Sequence, residues 1–399
     1  MSSRRLVGVG VIGFGWLGQA HGRSLMRIPT LFPERSYDPV LVACADPLSA
    51  RRELAAGSFG FRRATPEWEA VVADPEVDVI YVAAPNMVHV QAVEAAAAAG
   101  KPVFCEKPVG GRPRDVLRAA QAARASSVST GVGYNYRWAP LVRYAHELIA
   151  TGELGNITNY RGRFFSMYGA DPLAVNSWRF QLDEGGYGVT SDLLSHAVDM
   201  ALMLLGPIVS VTGTVHTYIT ERPAPSAGGS HYGRGHVGDP TQPVTNEDYA
   251  AMLVRFESGA RGTFESSRAM VGPESQMAFE VYGTEGALGW NLERINELEL
   301  YRRRDDRATG YTTVLGGDRF AHHGAFVPGA GNPIGFEDMI AIEDHEFCSA
   351  ISGGRAFVPG LDEALAAAEV QDALLRSARS GRWEDVVALT PDTDMRVVA

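Results

Sequence analysis

Three groups of residues in this chain have types and spacings that chemistry requires, and the first is rich in glycine. The turn Gly13-Phe14-Gly15-Trp16-Leu17-Gly18 follows an apolar run over residues 6–12 and precedes a segment with a helical pattern. Glycines at this spacing allow a tight turn, a close approach of backbone to phosphate and close packing of helix on strand. Free N–H groups at a helix start attract negative charge. The turn therefore predicts a dinucleotide-binding site, provided that the strand before it belongs to a parallel sheet.

The second group is a single lysine at the end of an apolar run. Lys107 comes two residues after the predicted strand Val103–Cys105, and Pro108 restricts the backbone beside it. A lysine close to a nicotinamide can donate a hydrogen bond to a substrate hydroxyl. Partial burial would lower its pKa, so that it could share in proton transfer. An ordinary surface lysine at a strand end is the alternative interpretation.

The third group is a carboxylate and an imidazole one helical turn apart. Asp192 and His196 lie in a helix predicted over 191–205, where a spacing of four places both side chains on one face. The carboxylate can orient the imidazole, and a neutral histidine can accept the proton of an alcohol. A structural pair with satisfied hydrogen bonds is the alternative. Asp199, on the same predicted helix, is expected to be structural.

An acidic residue at the end of the second apolar run bears on the choice of cofactor. Asp46 follows the predicted strand over residues 40–45, where a carboxylate accepts hydrogen bonds from the adenosine ribose and repels a 2′-phosphate. This favours NAD. Arg51 and Arg52 follow closely and could bind a 2′-phosphate, so NADP stays an alternative. A helix cap before Pro47 is compatible with either cofactor.

The elements that must position these residues alternate between strands and helices in the first third of the chain. Such alternation predicts a doubly wound parallel sheet of Rossmann type, with ligands beyond the carboxyl ends of the strands. The residues at those ends, which we expect at the cofactor, are Gly13, Asp46, Pro85, Asn86, Glu106, Lys107 and Asn135.

From about residue 136 the pattern changes to short strands joined by tight turns, which predicts an antiparallel arrangement. We therefore expect an α/β fold with two domains, a dinucleotide-binding domain over 1–135 and a substrate-binding domain over 136–399. The loop over 169–183 carries Trp178 and Arg179, which could cover a polar, ring-shaped substrate or pack between domains. A long loop rich in glycine, proline and histidine over 222–248 has no evident role.

Composition narrows the class of protein. The chain has 399 residues, of which 45% are hydrophobic and 21% charged, typical of a globular protein with two domains. A net charge of −11 argues against a nucleic-acid partner. No apolar run has the length of a membrane span, and the first residues do not resemble a signal peptide. Three cysteines without CxxC spacing indicate reduced thiols, and we expect a cytoplasmic protein. Cys44 and Cys105 lie in predicted strands and are expected to be buried.

The sequence does not contain the motifs of several other enzyme classes. No G-x-S-x-G or P-loop motif is present, which argues against a triad hydrolase or an NTPase. Several histidines lie outside the groups above, and their surroundings do not have the spacing of metal ligands: His231, His236, His322 and His323. We therefore expect no metal.

Together these residues resemble the Gfo/Idh/MocA oxidoreductase family over almost the whole chain. The likeness is carried by the glycine turn, Pro85-Asn86 with His89, Gly100-Lys101-Pro102 with Cys105-Glu106-Lys107-Pro108, and the segment 185–206 with Asp192, His196 and Asp199. The run over 170–181 looks most similar to the family's sugar dehydrogenases, such as those for levoglucosan and L-glucose, and to its inositol dehydrogenases. Where many relatives have a small residue after the aspartate, this chain has Leu193.

The resemblance implies a Rossmann domain followed by an α/β domain with a large open, mostly antiparallel sheet that often serves as an oligomer interface. It implies that Lys107, Asp192 and His196 are catalytic, with His196 accepting the proton and Lys107 holding the reacting hydroxyl. A homodimer or homotetramer is expected. His89 joins the residues expected at the cofactor, and the candidate substrate contacts are Lys107, Tyr136, Arg137, Trp178, Arg179, Asp192 and His196.

The sequence thus predicts an NAD(P)-dependent dehydrogenase that oxidises a secondary hydroxyl of a sugar, sugar derivative or cyclitol to a ketone. A redox-neutral glycosidase that retains its NAD would need the same lysine, histidine and glycines, and is one alternative. A non-catalytic nucleotide-sensing protein is another, and the intact Lys107, Asp192 and His196 argue against it.

Overall fold

The computed structural model describes residues 4–225, 233–303 and 309–391. Part of the long loop predicted over 222–248, including His231, lies outside these ranges. The chain forms two compact units: the first is Met1–Gly110, Arg114–Ala139 and Gly317–Leu365, and the second is Gly111–Pro113, Pro140–Gly316 and Ala366–Ala399. Since the first unit includes residues 317–365, the two units are not two continuous segments divided at residue 135.

The regular elements follow one another along the chain in strand–helix alternation at first and mostly as strands later. The strands are β1 (Arg5–Ile12), β2 (Tyr37–Ala45), β3 (Arg63–Thr65), β4 (Val79–Val82), β5 (Val103–Cys105), β6 (Thr130–Val132), β7 (Ile157–Ser166), β8 (Ile208–His216), β9 (Glu221–Pro223), β10 (Thr241–Pro243), β11 (Tyr249–Phe256), β12 (Arg261–Ser267), β13 (Ser275–Gly283), β14 (Gly286–Asn291), β15 (Glu297–Arg302), β16 (Thr312–Leu315) and β17 (Glu384–Asp385). The helices are α1 (Trp16–Leu31), α2 (Ser49–Ser58), α3 (Trp68–Ala73), α4 (Asn86–Ala98), α5 (Pro113–Ser126), α6 (Pro140–Ala150), α7 (Val189–Asp192), α8 (Leu194–Leu205), α9 (Phe336–Ser352) and α10 (Leu361–Ser380).

The first unit contains the predicted parallel sheet. Its six strands lie in the order β3-β2-β1-β4-β5-β6, and every pair is parallel. All four residues of β4 and all three of β5 are buried, as expected for strands covered on both faces. The strand order reverses between β1 and β4, which is the place where such sheets bind ligands. The Rossmann fold predicted from the strand–helix alternation is confirmed.

The second unit contains a nine-stranded sheet in the order β16-β15-β14-β13-β7-β12-β11-β8-β17. Its pairs are antiparallel except for β7 with β12, which run parallel. The helices α6 and α8 pack against it, α8 on β7, β12 and β13. Side chains of β11 alternate between exposed and buried from Leu253 to Phe256, so one face of the sheet carries the core and the other is open. The predicted mostly antiparallel sheet is confirmed.

The prediction of one continuous helix over 191–205 is wrong at Leu193. Helix α7 ends at Asp192 and α8 begins at Leu194. The His196 N–H bonds to the Leu193 carbonyl at 3.2 Å, three residues back, so the hydrogen-bond pattern changes there. At the start of α7, the Val189 and Thr190 N–H groups bond to the carbonyl and the carboxylate of Glu247. Leu193 keeps right-handed helical backbone angles, so the interruption affects the hydrogen bonds and leaves Asp192 one turn before His196.

The three cysteines are free thiols, as the sequence predicts, and all three are buried, including Cys348, for which burial was not predicted. Burial raises the pKa of Cys44 and of Cys348 to about 12, and that of Cys105 well above its ordinary value. These thiols are therefore poor nucleophiles. Among the described residues, none of the helices has the length and apolar character that crossing a bilayer requires.

Candidate active site

The glycine turn has the geometry that a dinucleotide pyrophosphate needs. Gly13 has a φ of +88°, and a Cβ there would come within 2.6 Å of the Ala84 backbone. A Cβ on Gly18 would lie 2.0 Å from the Gly13 carbonyl oxygen, so this glycine allows helix and strand to pack. At Gly15 the nearest atom to an added Cβ is an Arg51 guanidinium nitrogen at 3.7 Å, so the turn is open there. Helix α1 begins at Trp16 without a side-chain cap, which leaves its first N–H groups for an anion.

The remaining residues of the turn divide between core and surface. The Phe14 ring is buried edge-on against Phe59 and Phe61, with ring centroids 4.9 and 5.5 Å away. Trp16 is 60% exposed and stacks on Phe336, at the start of α9, with centroids 5.4 Å apart. Leu17 is half-buried. Sequence reasoning missed Phe336, since nothing in the chain near it signals a partner more than 300 residues earlier.

Asp46 lies beside the turn, as predicted for the acid at the end of β2. One carboxylate oxygen accepts hydrogen bonds from the Phe14 N–H at 2.9 Å and from Arg51 at 3.1 Å, and the other accepts from the Leu48 N–H at 2.9 Å. The carboxylate therefore ties the second strand to the glycine turn and also satisfies the backbone after Pro47. Its contact with a ribose stays a prediction.

Lys107 is half-buried at the end of β5, beside a buried carboxylate. The Lys107 N–H donates to one oxygen of Glu106 at 3.1 Å, and the other Glu106 oxygen lies 3.0 Å from the His21 Nε2. The His21 Nδ1 lies 2.9 Å from Asp344 on α9. The two oxygens of Glu106 thus hold the backbone of the candidate catalytic lysine and a histidine of α1.

His21, Glu106, Glu343 and Asp344 form a buried cluster in which neighbouring charges shift the pKa values. Burial opposes a charge on His21, but the carboxylates of Asp344 and Glu106 outweigh it and raise the pKa of His21 well above its usual value. Next to Asp344, burial together with the Glu106 and Asp344 carboxylates raises the pKa of Glu343 well above its usual range. Both shifts favour the protonated form, an imidazolium at His21 and a neutral carboxyl group at Glu343. In the sequence, the sign of this cluster was a single histidine on the apolar side of α1. Such a histidine carries no information about carboxylates far away in the chain.

The other residues expected at the cofactor lie at the strand ends of the first unit. Pro85 is exposed and Asn86 begins α4. Both ring nitrogens of the buried His89 lie against carbonyl oxygens, of Pro108 at 2.9 Å and of Ala84 at 2.6 Å, and burial lowers its pKa. Any effect of His89 on a cofactor therefore passes through these two backbone segments.

A short 3₁₀ turn, Asn135–Trp138, carries three predicted residues. Asn135, Tyr136 and Arg137 are all buried. Among the described residues, the Asn135 side-chain nitrogen has no hydrogen-bond partner, so this buried donor is available to a ligand. The Tyr136 ring lies 6.1 Å from that of Phe336, which also stacks on Trp16.

The second unit contains the other candidate catalytic residues. His196 is buried, with its ring 5.8 Å from that of Phe164. One Asp192 oxygen accepts a hydrogen bond from the Tyr168 hydroxyl at 3.0 Å and lies 3.6 Å from an Arg179 guanidinium nitrogen. The Arg179 guanidinium lies over the Trp178 ring, 4.5 Å from its centroid. The predicted Trp178, Arg179 and Asp192 thus lie together.

Tyr168 is a member of this group that sequence reasoning missed. Burial, and then the Asp192 carboxylate, raise its pKa, so the hydroxyl stays protonated and donates to Asp192. The available signal was weak, a tyrosine just after β7 at the start of the loop that carries Trp178. Among the described residues, no group of three or more His, Cys, Asp or Glu side chains is arranged to hold a metal ion.

Comparison with known proteins agrees with this architecture. The family model described as oxidoreductase family, NAD-binding Rossmann fold, matches residues 7–134, and that of the GFO/IDH/MocA C-terminal domain matches residues 142–289. The levoglucosan dehydrogenase of Pseudarthrobacter phenanthrenivorans is 34% identical over 383 residues, covering 95% of this chain and 97% of that protein. The inositol 2-dehydrogenase of Rhizobium meliloti is 26% identical over 375 residues, covering 94% and 97%.

A solved structure extends the comparison to three dimensions. Levoglucosan dehydrogenase in complex with NADH and levoglucosan matches with a TM-score of 0.89 and 32% identity, over 96% of this chain and 100% of that one. The chain therefore belongs to the Gfo/Idh/MocA family of oxidoreductases, whose first domain is a Rossmann fold that binds NAD.

Proposed function

We propose that this protein is an NAD-dependent dehydrogenase that oxidises a secondary hydroxyl of a sugar, sugar derivative or cyclitol to a ketone. The observation that carries the proposal is the end-to-end likeness to levoglucosan dehydrogenase, at 34% identity over 95% of the chain. Likeness to an inositol 2-dehydrogenase over 94% of the chain widens the substrate class to cyclitols. Both substrate types offer the same reacting group, a secondary alcohol on a ring.

In this proposal the chain's own residues bind the alcohol and take its proton. Bound NAD supplies the acceptor for the hydride that leaves the carbinol carbon. The Lys107 ammonium donates a hydrogen bond to the reacting hydroxyl, and the His196 imidazole accepts the hydroxyl proton. Asp192 accepts a hydrogen bond from Tyr168 and lies beside Arg179, and in this proposal it orients the reacting groups.

Aromatic and basic side chains are proposed to hold the ring of the substrate. Trp178 offers a flat apolar face, and Arg179, stacked on it, offers several hydrogen-bond donors. Tyr136 and Arg137 are also proposed to contact the substrate. We also propose that the protein forms a homodimer or a homotetramer.

Absorbance at the band of the reduced nicotinamide tests this function. The purified protein is mixed with NAD or NADP and with panels of inositols, aldoses, anhydrosugars and glycosides. A rise with NAD and one class of ring alcohol is the expected result. If no absorbance develops while a glycoside is cleaved, the protein is a redox-neutral glycosidase; if NAD binds and nothing is consumed in any panel, it is a nucleotide sensor.

A further inference from the structure

Two buried arginines lie over the ring of Phe180 in the second unit. The guanidinium carbon of Arg222 lies 4.0 Å from the ring centroid and that of Arg268 lies 4.5 Å from it. Arg222 and Arg268 are 0% and 1% exposed, among the largest fully buried side chains of the described chain. Burying a guanidinium is costly unless its donors are satisfied, so an arrangement with two of them on one ring requires specific partners. We call Arg222, Phe180 and Arg268 the Phe180 clamp.

Three hydrogen bonds from the Phe180 clamp go to the backbone of the loop that carries Trp178 and Arg179. Arg222 donates to the carbonyl oxygens of Gly169 at 2.5 Å and Asp171 at 2.7 Å. Arg268 donates to the Arg179 carbonyl at 3.0 Å. Its other donors bond to the Asp248 carboxylate at 2.7 Å and to the Asn246 side-chain oxygen at 2.8 Å. The guanidinium groups therefore hold the loop at its start, at Gly169 and Asp171, and again at Arg179, the residue before Phe180.

The 222–248 segment, which had no evident role in the sequence, provides further contacts that hold this loop. Strands β9 and β10 pair with each other, and Arg222 is the central residue of β9. The Asn176 N–H bonds to the Pro223 carbonyl at 2.8 Å, and the Asn176 side chain donates to the Pro243 carbonyl at 3.0 Å. Gln181 also donates to the Pro243 carbonyl, at 2.8 Å. The described part of the 222–248 segment thus lies against the loop over 169–181 along most of its length.

The loop that the clamp holds places the Arg179 side chain near the candidate catalytic carboxylate of Asp192. While the Arg179 carbonyl is fixed by Arg268 and by the Asn246 side chain at 3.0 Å, the Arg179 guanidinium lies 3.6 Å from Asp192. Trp178 lies under that guanidinium. Fixing the backbone at Arg179 and Phe180 therefore fixes the two side chains proposed to contact the substrate, without any contact of the clamp with the reacting atoms.

We propose that the Phe180 clamp is a positioning device that sets the affinity of this enzyme for its ring substrate by holding Trp178 and Arg179 in their binding conformation. Arg222 and Arg268 are positioning residues in it. The effect of the clamp on substrate affinity rests on the proposed function, whereas the clamping of the loop does not. Pre-organised side chains lower the ordering cost of binding, which appears in substrate affinity.

The kinetic test uses Arg222→Met, because Arg222 bonds to neutral carbonyls and its removal leaves no buried charge unpaired. We expect the KM for the sugar or cyclitol to rise about tenfold or more, kcat to stay within about threefold, and the dissociation constant of NADH to be unchanged. Arg255→Met is the matched control, because Arg255 also lies over an aromatic ring, 4.3 Å from the Trp383 centroid, and does not belong to the loop. An unchanged substrate KM in Arg222→Met would overturn the proposal.

A second measurement does not depend on activity. Trypsin cleaves after arginine, and the Arg179–Phe180 bond is protected while Phe180 is buried and the Arg179 carbonyl is bonded. In Arg222→Met we expect the fragment that begins at Phe180 to form at least about tenfold faster by mass spectrometry, and in Arg255→Met at the wild-type rate. Equal rates in all three proteins would show that the loop is not clamped.

Phe180→Leu keeps the proposal falsifiable if Arg222→Met does not fold. It removes both guanidinium–ring contacts and leaves the hydrogen bonds of the arginines, so the same changes in KM and cleavage rate are expected at smaller size. Faster cleavage together with no turnover in wild type would support the clamp and count against the proposed function. Faster cleavage with an unaltered substrate KM would overturn the link between clamp and affinity.

Discussion

At the scale of single residues, lysine is rare in this protein. Of its 36 lysines and arginines, only Lys101 and Lys107 are lysines. They lie six residues apart in one stretch and have different surroundings. Lys101 donates to the Asp74 carbonyl at 2.6 Å, whereas Lys107 follows the buried Glu106 at the end of β5. Chemistry directed at side-chain amines can therefore report on two positions only.

Replacing each lysine in turn should distinguish a catalytic lysine from a structural one. Lys107→Met should lower kcat with a ring alcohol by about 10²–10⁴-fold, because the donor that holds the reacting hydroxyl is lost. NADH affinity should stay within a few fold. Lys101→Met, the matched control, should keep wild-type turnover. Steady-state kinetics and a fluorescence titration with NADH measure both quantities, and wild-type kcat in Lys107→Met would refute the assigned role.

At the scale of elements, two glycines of one turn have different tasks. An added methyl group at Gly15 meets no atom closer than 3.7 Å, whereas at Gly18 it lies 2.0 Å from the Gly13 carbonyl oxygen. Gly18 is thus required by the packing of α1 on β1, whereas we expect Gly15 to be required by a ligand that approaches the turn.

Alanine at each glycine should give opposite results. Gly15→Ala should keep the wild-type free energy of unfolding but weaken NADH binding at least about tenfold, because its methyl group lies where the pyrophosphate approaches. Gly18→Ala should lower the free energy of unfolding by about 1–3 kcal/mol through overpacking. Urea titration and calorimetric NADH titration compare the two variants. Tight NADH binding by Gly15→Ala would contradict the site.

The buried cluster that joins α1, β5 and α9 makes a prediction about charge. The pKa of His21 is raised by Asp344 and Glu106, so we expect both ring nitrogens to be protonated at pH 7 in ¹⁵N NMR spectra. His345 is the control, because burial and the nearby His322 and Arg35 lower its pKa to about 4, and it should be neutral at pH 6. His21→Gln and His345→Gln assign the two signals. A neutral His21 at pH 7 would contradict the cluster's charge.

The same cluster has a consequence for stability. Because the folded-state pKa of His21 lies above its unfolded value of about 6.5, folded protein binds a proton there that unfolded protein lacks. Its contribution is complete below pH 6.5 and is lost as the pH rises towards the folded-state pKa. The loss is at most about 1.4 kcal/mol per pH unit.

At the scale of the whole molecule, the open face of the nine-stranded sheet is a candidate contact between copies of the chain. Two shallow grooves of about 650 and 670 Å³ lie on it, lined among others by Arg161, Leu253 and Thr263. Leu253 is 50% exposed on the inner strand β11. An exposed leucine on an inner strand of a sheet with an open face fits the oligomer that we propose.

A charge on this face should change the oligomeric state. Leu253→Asp should lower the mass measured by sedimentation velocity from that of a dimer or tetramer towards that of the monomer, because burying an unpaired carboxylate at an interface is costly. Val271→Asp is the control, since Val271 is 77% exposed outside the strands. A monomeric wild type, or an unchanged mass in Leu253→Asp, would argue against this interface.

The family resemblance implied the candidate catalytic residues, whereas the sequence by itself determined the Rossmann sheet and the glycine turn. The reason is that these features are local. A strand, its turn and the next helix are adjacent in the chain, and parallel strands bring their carboxyl ends to one edge whatever follows. Gly13, Asp46 and Lys107 could be placed at that edge from the pattern of apolar runs alone.

Only the tertiary structure decided which polar groups are buried together. His21 meets Asp344, 323 residues away, Tyr168 meets Asp192, and Arg222 and Arg268 meet across Phe180. Each pairing joins residues from separate elements, and no periodicity in the chain encodes it. A buried charge or hydroxyl must find its partner wherever the fold brings one. The cluster behind Lys107 and the support of the Trp178 loop therefore became visible only when the distant segments were brought together.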